Sequence, residues 1–322
     1  IEDKIKEIKE IYQPDSDSME KIGGYQNLVF KFSRNEITYI LRITSSDHRS
    51  QKEIEAEIDF VNYLGENGVS VAKAISLPEL ETVESLKTDN HTYFMCVFEK
   101  VKGLEWTELK ENKDIFFKAG QELGKVHFYS EKYSKKLERT SWEGNQYLKI
   151  ATEVIPEDKN WILEKMYNHV AKMNKLNQDE ATYGLVHGDY NYANLIYDKN
   201  KFKIIDFDEL EYHWYIYDIA VYLFYYLLGG DPVHMDIEYN KNVFRNFMKG
   251  YLKEYNIDSY WIEKLPLFFR LREYILYSSI YRSFDLKTAG KWQKNYIKEV
   301  DRRVKNGLPF VDIDYVNLYK KL

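Results

Sequence analysis

Two short stretches hold polar residues in a pattern that suits chemistry better than packing. The first, "LVHGDYNYANLIYD" (185–198), carries Asp189 and then Asn194, with apolar residues on both sides. The second, "KIIDFDE" (203–209), puts Asp206 at the end of a run that reads as a strand. A carboxylate can accept a proton from a hydroxyl that attacks phosphorus. An asparagine carbonyl and a second carboxylate can hold Mg2+, which takes few protein oxygens and keeps phosphate and water as its other ligands. Phosphoryl transfer asks for positioning and charge neutralisation more than for covalent help, and Asp189, Asn194 and Asp206 supply the groups for it. The plain alternative is a polar turn with helix caps, but three such residues in order are hard to obtain from caps alone. His187 reads as a hydrogen-bonded holder of the loop and not as a base, since a buried histidine is commonly a satisfied polar group.

Something must position these residues. Ile5, Ile8 and Ile11 fit one helix face over 2–12. Two runs rich in Val, Ile, Phe and Tyr flank "SRNE" and predict a hairpin, with Gly23-Gly24 at the start of its first strand. "QKEIEAEIDFVNYLGENG" predicts a helix with Ile54, Ile58 and Val61 on one face. "VSVAKAISL" and "HTYFMCVFEKV" read as strands separated by the turn-rich "PELETVESLKTDN". After Gly103 the pattern turns helical, in "DIFFKAGQELGKVHFYSEKY" and again over 158–176, and from Trp214 onward. Between these helices "LIY" and "FKIIDF" predict a strand pair around "DKNK". The expected class is α+β in two lobes: 1–101, a small β-sheet lobe with one helix, and 102–322, a larger and mainly helical lobe. A cleft between lobes is a natural ligand site.

Composition narrows the partners. The chain has 322 residues, 46 Lys+Arg against 52 Asp+Glu, and a formal charge of −6, which argues against nucleic acid. Its one cysteine, Cys96, excludes an internal disulfide framework and reads as a small core residue. Scattered histidines with no His-x-x-x-His pair give zinc chemistry little support. The charged start "IEDKIKEIKEIYQ" lacks a signal-peptide core and an initiator Met, so the chain is expected to be trimmed. The most apolar run, "IAVYLFYYLLGG", is too short to span a bilayer. A soluble, cytoplasmic protein without a membrane is expected; its oligomeric state is not encoded visibly.

The order Asp189, Asn194, Asp206 resembles the catalytic loop and metal aspartate of protein kinases. His-Gly-Asp in place of His-Arg-Asp resembles the aminoglycoside phosphotransferase and choline kinase superfamily, as do "AGQELGKVH" and "IYDIAVYL". The resemblance covers nearly the whole chain. "DFDELEYHWYIYDIA" and "YILRI…HRSQKEIEAEIDFVNYL" are similar to its bacterial homoserine-kinase-like, spore-coat-kinase-like and stress-response-kinase-like branch.

The resemblance implies a protein-kinase-like bilobal fold and transfer of the γ-phosphate of ATP to a small-molecule hydroxyl, with Mg2+. GTP depends on the hinge backbone and stays open. It also implies residue roles. Asp189 is the catalytic base or orients the acceptor hydroxyl. Asn194 and Asp206 bind Mg2+, and Asp218 braces the catalytic loop. Gly23, Gly24, Tyr25, Gln26 and Asn27 form the turn over the nucleotide phosphates. Arg42 stands where the family has a strand lysine, with Glu57, in competition with Glu53 and Glu55, as its ion-pair partner. Glu99, Lys100 and Val101 form the adenine hinge through their backbone.

The chain departs from the family at three places: "GGYQN" for the Gly-rich loop, Arg42 for lysine, and "DFD" for Asp-Phe-Gly. Asp208 then adds a metal contact or faces solvent. The irregular turn and Arg42 motivate a second reading, a nucleotide-binding pseudokinase serving as a regulatory module. A Ser/Thr protein kinase is a weaker third, because there is no Ala-Pro-Glu segment. Tyr190 and Tyr192 either flank the acceptor pocket or pack. Arg272, Glu273 and Tyr277 reach substrate or form a solvated helix face. Asp208, Glu209 and Glu211 hint at an amine-bearing acceptor.

Overall fold

The computed structural model describes residues 4–16, 18–24, 26–109, 114–228 and 236–322. In chain order the elements begin α1 (Ile5–Tyr12), β1 (Glu20–Gly23), β2 (Leu28–Arg34), β3 (Ile37–Ser45), α2 (Gln51–Glu66), β4 (Glu84–Lys87) and β5 (Thr92–Glu99). They continue with α3 (Asp114–Lys132), the short α4 (Gln146–Lys149) and α5 (Ala151–Val154), α6 (Asn160–Met173) and β6 (Tyr183–Val186). Then come β7 (Leu195–Asp198), β8 (Lys201–Ile204), β9 (Glu211–Trp214), α7 (Ile216–Leu228), α8 (Ile237–Tyr251), α9 (Ser259–Ser283), α10 (Lys291–Lys305) and α11 (Tyr315–Tyr319). The chain divides into two compact units. One takes Ile1–Glu105, Lys136–Glu138 and Ile196–Asp208; the other takes Trp106–Lys135, Arg139–Leu195 and Glu209–Leu322.

The first unit is built on a five-stranded antiparallel sheet in the order β1-β2-β3-β5-β4. Alternation along the strands gives each face its own helix. Leu41, Ile43, Met95 and Val97 pack in one cluster with Ile8 and Tyr12 of α1. Phe94 and Cys96, one residue out of step, pack with Ile54 and Ile58 of α2. Arg42 is the cross-strand partner of Cys96 and so shares the α2 face. The β2–β3 hairpin closes through Asn35 and Glu36, both at positive φ, and Asp15 receives both of their N–H groups at 3.0 and 2.9 Å. Two residues at positive φ suit the twist of a two-residue hairpin turn.

One expected strand is absent. "VSVAKAISL" makes only bridges, Val71 to Ile204 and Ala74 to Phe98. Its backbone divides its bonds between β8 (Ala72 N to Ile204 O, 2.8 Å) and β5 (Ile75 N to Val97 O, 2.8 Å), so no single ladder runs long enough. Conversely, the acidic segment before β5 supplies edge strand β4, which needs only Leu86 facing the core.

The second unit is mainly helical, with the small β6–β9 pair inside it. Helices α3 and α8 approach closely where each places glycine against the other's backbone. A Cβ on Gly120 would fall on the Phe247 carbonyl, and one on Gly250 on the Phe117 carbonyl. Helix α7 is buried on nearly every side, which makes it the centre of this unit. Among its buried apolar side chains it carries one carboxylate, Asp218, with no exposure.

Candidate active site

In the second unit the segment after β6 turns at Gly188, whose φ is +79°, and a Cβ there would meet the Glu209 carbonyl. Asp218 stands under this turn. Its carboxylate accepts the backbone N–H of His187 at 2.8 Å and of Gly188 at 2.9 Å. His127 of α3 adds a third contact at 3.3 Å. Burial holds the His127 imidazole below its ordinary value against the pull of Asp218. The neutral ring therefore donates to Asp218 from Nε2 and accepts from the Tyr251 hydroxyl at Nδ1, 2.8 Å away. His187 is fully buried, and its Nδ1 accepts the Asp189 N–H at 3.3 Å. It holds the loop, as its sequence context suggests.

The loop presents Asp189 with its carboxylate gripped on both oxygens. Oδ2 accepts Nδ2 of Asn191 at 3.0 Å and Nδ2 of Asn194 at 3.2 Å. Both amides also reach the Asp189 carbonyl, at 3.1 and 2.9 Å. Oδ1 accepts Nη2 of Arg272. Asn191 caps the short turn Tyr192–Asn194 by accepting the Ala193 N–H at 2.8 Å. These bonds use the amide nitrogen of Asn194 and leave its amide oxygen for a cation. Tyr190 packs: it is fully buried and donates to the Ala119 carbonyl of α3 at 2.8 Å. Tyr192 is half-buried, with its ring 5.9 Å from Trp106 and 6.4 Å from Tyr225.

Arg272, Glu273 and Tyr277 form no solvated face. Glu273 is fully buried between Arg303 (2.8 Å) and Arg270 (2.7 Å). Tyr277 donates to Asp301 at 2.8 Å.

In the first unit, Arg42 of β3 and Glu57 of α2 form a buried bidentate pair with N–O distances of 2.8 and 2.6 Å. Burial works against the Arg42 cation, and the Glu57 carboxylate outweighs it, so the guanidinium pKa lies above its usual value. The two competing glutamates are engaged elsewhere. Glu53 closes a capping box with Ser50, and Glu55 accepts from Gln51 at 2.8 Å. Asp206 lies 3.8 Å from Arg42 and is half exposed, at φ +61°. A short polar side chain is among the few that adopt this left-handed conformation, and the strained backbone sits where a functional carboxylate is expected.

Asp208 does not face solvent. It is buried against His48 at 2.6 Å, and its carbonyl accepts Arg49 at 3.0 Å. Burial would raise its pKa, but the His48 bond and the Arg42 and Arg49 charges hold it well below the usual carboxylate range.

Gly23 ends β1, and the register lines up Gly23, Val29, Arg42 and Cys96 across four strands. Gly24 follows at φ +120°, where a Cβ would fall on the Asn27 carbonyl. Gln26 and Asn27 complete the turn, and Tyr25 lies outside the described residues. The Glu99 side chain has a structural use that its sequence context does not suggest. It accepts the Lys73 N–H at 3.0 Å and Nζ of Lys203 at 2.6 Å. The Glu99 N–H itself donates to the Lys73 carbonyl at 3.1 Å. Lys100 is exposed and Val101 half-buried.

Each unit offers an oxygen donor of its own, the Asn194 amide in the second and the half-exposed Asp206 carboxylate in the first. That chemistry fits a hard divalent cation and not a soft one.

Comparison with known proteins decides the class. Residues 19–255 match the phosphotransferase enzyme family. The chain belongs to that family. It is 28% identical to the amicoumacin kinase of Bacillus subtilis (strain 168) over 305 residues, 93% of this chain and 90% of the relative. A solved amicoumacin kinase in complex with AMP-PNP, Ca2+ and Ami shares 26% identity, with a TM-score of 0.90 over 98% of this chain and 97% of that one. The choline kinase of Streptococcus pneumoniae shares the fold, with a TM-score of 0.61 at 16% identity over 95% of this chain and 99% of that one. The fold is protein-kinase-like, as the catalytic-loop pattern implies. The chain is a small-molecule phosphotransferase acting on an alcohol group. Among the described residues no helix is long and apolar enough to cross a membrane.

Proposed function

We propose that this enzyme moves the γ-phosphate of ATP, with Mg2+, to a hydroxyl of a small molecule of the amicoumacin kind. The observation that carries the reading is the clamped loop. Asp218 fixes the backbone of 187–188, and Asn191 and Asn194 fix the carboxylate of Asp189. The likeness to two amicoumacin kinases supports the choice of acceptor.

In this reading Asp189 accepts the proton of the acceptor hydroxyl as its oxygen bonds to phosphorus. Asn194, through its amide oxygen, and Asp206, through its carboxylate, would be ligands of the cation. Gly23, Gly24, Tyr25, Gln26 and Asn27 cover the phosphates, and Arg42, kept in place by Glu57, contacts them. The backbone of Glu99, Lys100 and Val101 receives the adenine. When bound, the cation neutralises charge on the phosphates and the nucleotide supplies the phosphoryl group. An amine on the acceptor rests on Glu209 alone, which is half-buried and accepts from Gln146 at 3.3 Å. Asp208 and Glu211, the other acidic residues behind that expectation, are buried. A cytoplasmic location, where ATP is at hand, completes the proposal.

The test is a transfer assay with γ-labelled ATP and Mg2+, run on amicoumacin and on a panel of hydroxylated metabolites, aminoglycosides and choline. Label on amicoumacin, lost in Asp189→Ala, is the expected result. Label on another acceptor would overturn the acceptor assignment. Equal labelling by Asp189→Ala would overturn the role of Asp189.

A further inference from the structure

Arg272 comes from α9, 83 residues beyond Asp189, yet its guanidinium ends on the reacting carboxylate. It is nearly buried and spends its donors inside the protein. Nη1 reaches the Gly188 carbonyl at 3.4 Å and the Tyr217 hydroxyl at 3.3 Å. Nη2 reaches Asp189 Oδ1 and the Tyr225 hydroxyl, the latter at 2.8 Å. The Tyr225 ring also lies 5.2 Å beneath the guanidinium carbon. With its terminal nitrogens so occupied, Arg272 is poorly placed to bind an acceptor. It is placed to hold Asp189.

A carboxylate offers about four acceptor positions, two on each oxygen. Asn191 and Asn194 fill both on Oδ2, and Arg272 fills one on Oδ1. The position that remains is on Oδ1, and Asp189 keeps about a quarter of its side chain exposed to meet a hydroxyl there. From this we infer that Arg272 is a positioning residue of the transfer reaction: it fixes the rotation of the Asp189 carboxylate and leaves one lone pair of Oδ1 for the acceptor hydroxyl. The inference rests on the reading of Asp189 as the group that takes the hydroxyl proton. The proton goes to Oδ1 as the acceptor oxygen bonds to phosphorus and the bond from phosphorus to the nucleotide diphosphate breaks.

A residue that only stabilises α9 would lower the amount of folded enzyme and leave its turnover alone. A residue that orients the base lowers kcat at unchanged nucleotide binding, because a small misplacement of a reacting group costs on the order of 100-fold. The experiment is a double-mutant cycle on folded, full-length enzyme with Arg272→Gln, Asp189→Asn and the pair, measuring kcat and the KM for ATP. Arg272→Gln is expected to lose about 100-fold in kcat with its KM for ATP within about twofold. The same change in the Asp189→Asn background is expected to cost nothing further. Arg272→Lys should recover part of the loss, since an ammonium can still reach Oδ1 but cannot also hold Gly188 and Tyr217. Should Arg272→Gln not fold, Tyr225→Phe serves instead; it frees one Nη2 bond, keeps the ring, and should lower kcat several-fold. Arg272→Gln, or in its place Tyr225→Phe, turning over like the parent while Asp189→Asn keeps only a small residual kcat would overturn the inference alone. An equal loss in both Asp189 backgrounds would do the same. Asp189→Asn turning over like the parent would instead overturn the reading on which the inference rests.

Discussion

Replacing Asp218 by asparagine probes the catalytic loop without changing the size of the side chain. The carboxylate accepts two backbone N–H groups on different oxygens, His187 N on Oδ2 and Gly188 N on Oδ1, and all these atoms are buried. An amide has one oxygen. One N–H keeps its partner and the other faces an NH2 group. A hydrogen bond to a charged group contributes about 1.5–3 kcal/mol, and a buried donor left unsatisfied costs about 1–3 kcal/mol. The two figures overlap in part, which puts the loss at about 3 kcal/mol. At about 2–4 °C per kcal/mol for a chain of this size class, Tm should fall by roughly 6–12 °C. The loop that carries Asp189 loses one of its two backbone anchors, so kcat should fall on the order of 100-fold in the fraction still folded. Calorimetry and steady-state transfer assays on one preparation measure both. A variant melting within about 1 °C of the parent, with its kcat intact, would mean that Asp218 is not the loop's brace.

Other perturbations bear on the first unit and on α6. Arg42→Lys restores the residue type that the family pattern carries, yet it should destabilise by about 1.5–3 kcal/mol, because an ammonium cannot make the two-pronged contact to Glu57; a denaturant midpoint at or above the parent's would contradict this. Gly24→Ala puts a Cβ on the Asn27 carbonyl at φ +120°. If that turn covers the phosphates, the KM for ATP should rise about tenfold, or about 1.4 kcal/mol of binding, and an unchanged KM would separate the turn from the nucleotide.

His169 is buried, and burial pushes its pKa down to about 4 despite its bond to the Leu267 carbonyl. The unfolded chain, near 6.5, then binds more protons than the folded one between these values. Stability from this site is full above pH 6.5 and falls by about 1.4 kcal/mol per pH unit as the pH drops toward 4. His169→Gln should flatten the stability profile in that window, and an unaltered slope would count against it.

Much of this was legible in the chain, and the misses have physical causes. The period-two pattern of β2, β3 and β5 and the apolar stripe of α2 gave the sheet and its helix. The same stripe holds the signal that selects Glu57. It falls three residues after Ile54, beside Ile58, where a charge needs a buried partner, whereas Glu53 and Glu55 lie off that line. Asn191 sits inside the motif and was readable as a second amide near Asp189.

Arg272 stood out as a residue that reaches substrate or lines a solvated face, but its hold on Asp189 was not readable, because that contact joins residues 83 apart through the packing of α9 on α7. The partners of Asp208 are 160 and 159 residues away and left the same silence. The segment 69–77 reads as a strand because its residues are apolar and β-branched, but composition does not say that two different strands will divide its backbone bonds.

Transfer to a hydroxyl with Asp189 taking the proton, as proposed, has a specific kinetic signature. A single-turnover experiment tests it most directly, with enzyme in excess over γ-labelled ATP, Mg2+ and amicoumacin present, and phosphorylated acceptor and free phosphate quantified together. The parent enzyme should put label on the acceptor, and Asp189→Asn should leave most of the ATP intact over the same time. Rapid transfer by Asp189→Asn, or label released only as phosphate by the parent, would contradict this mechanism.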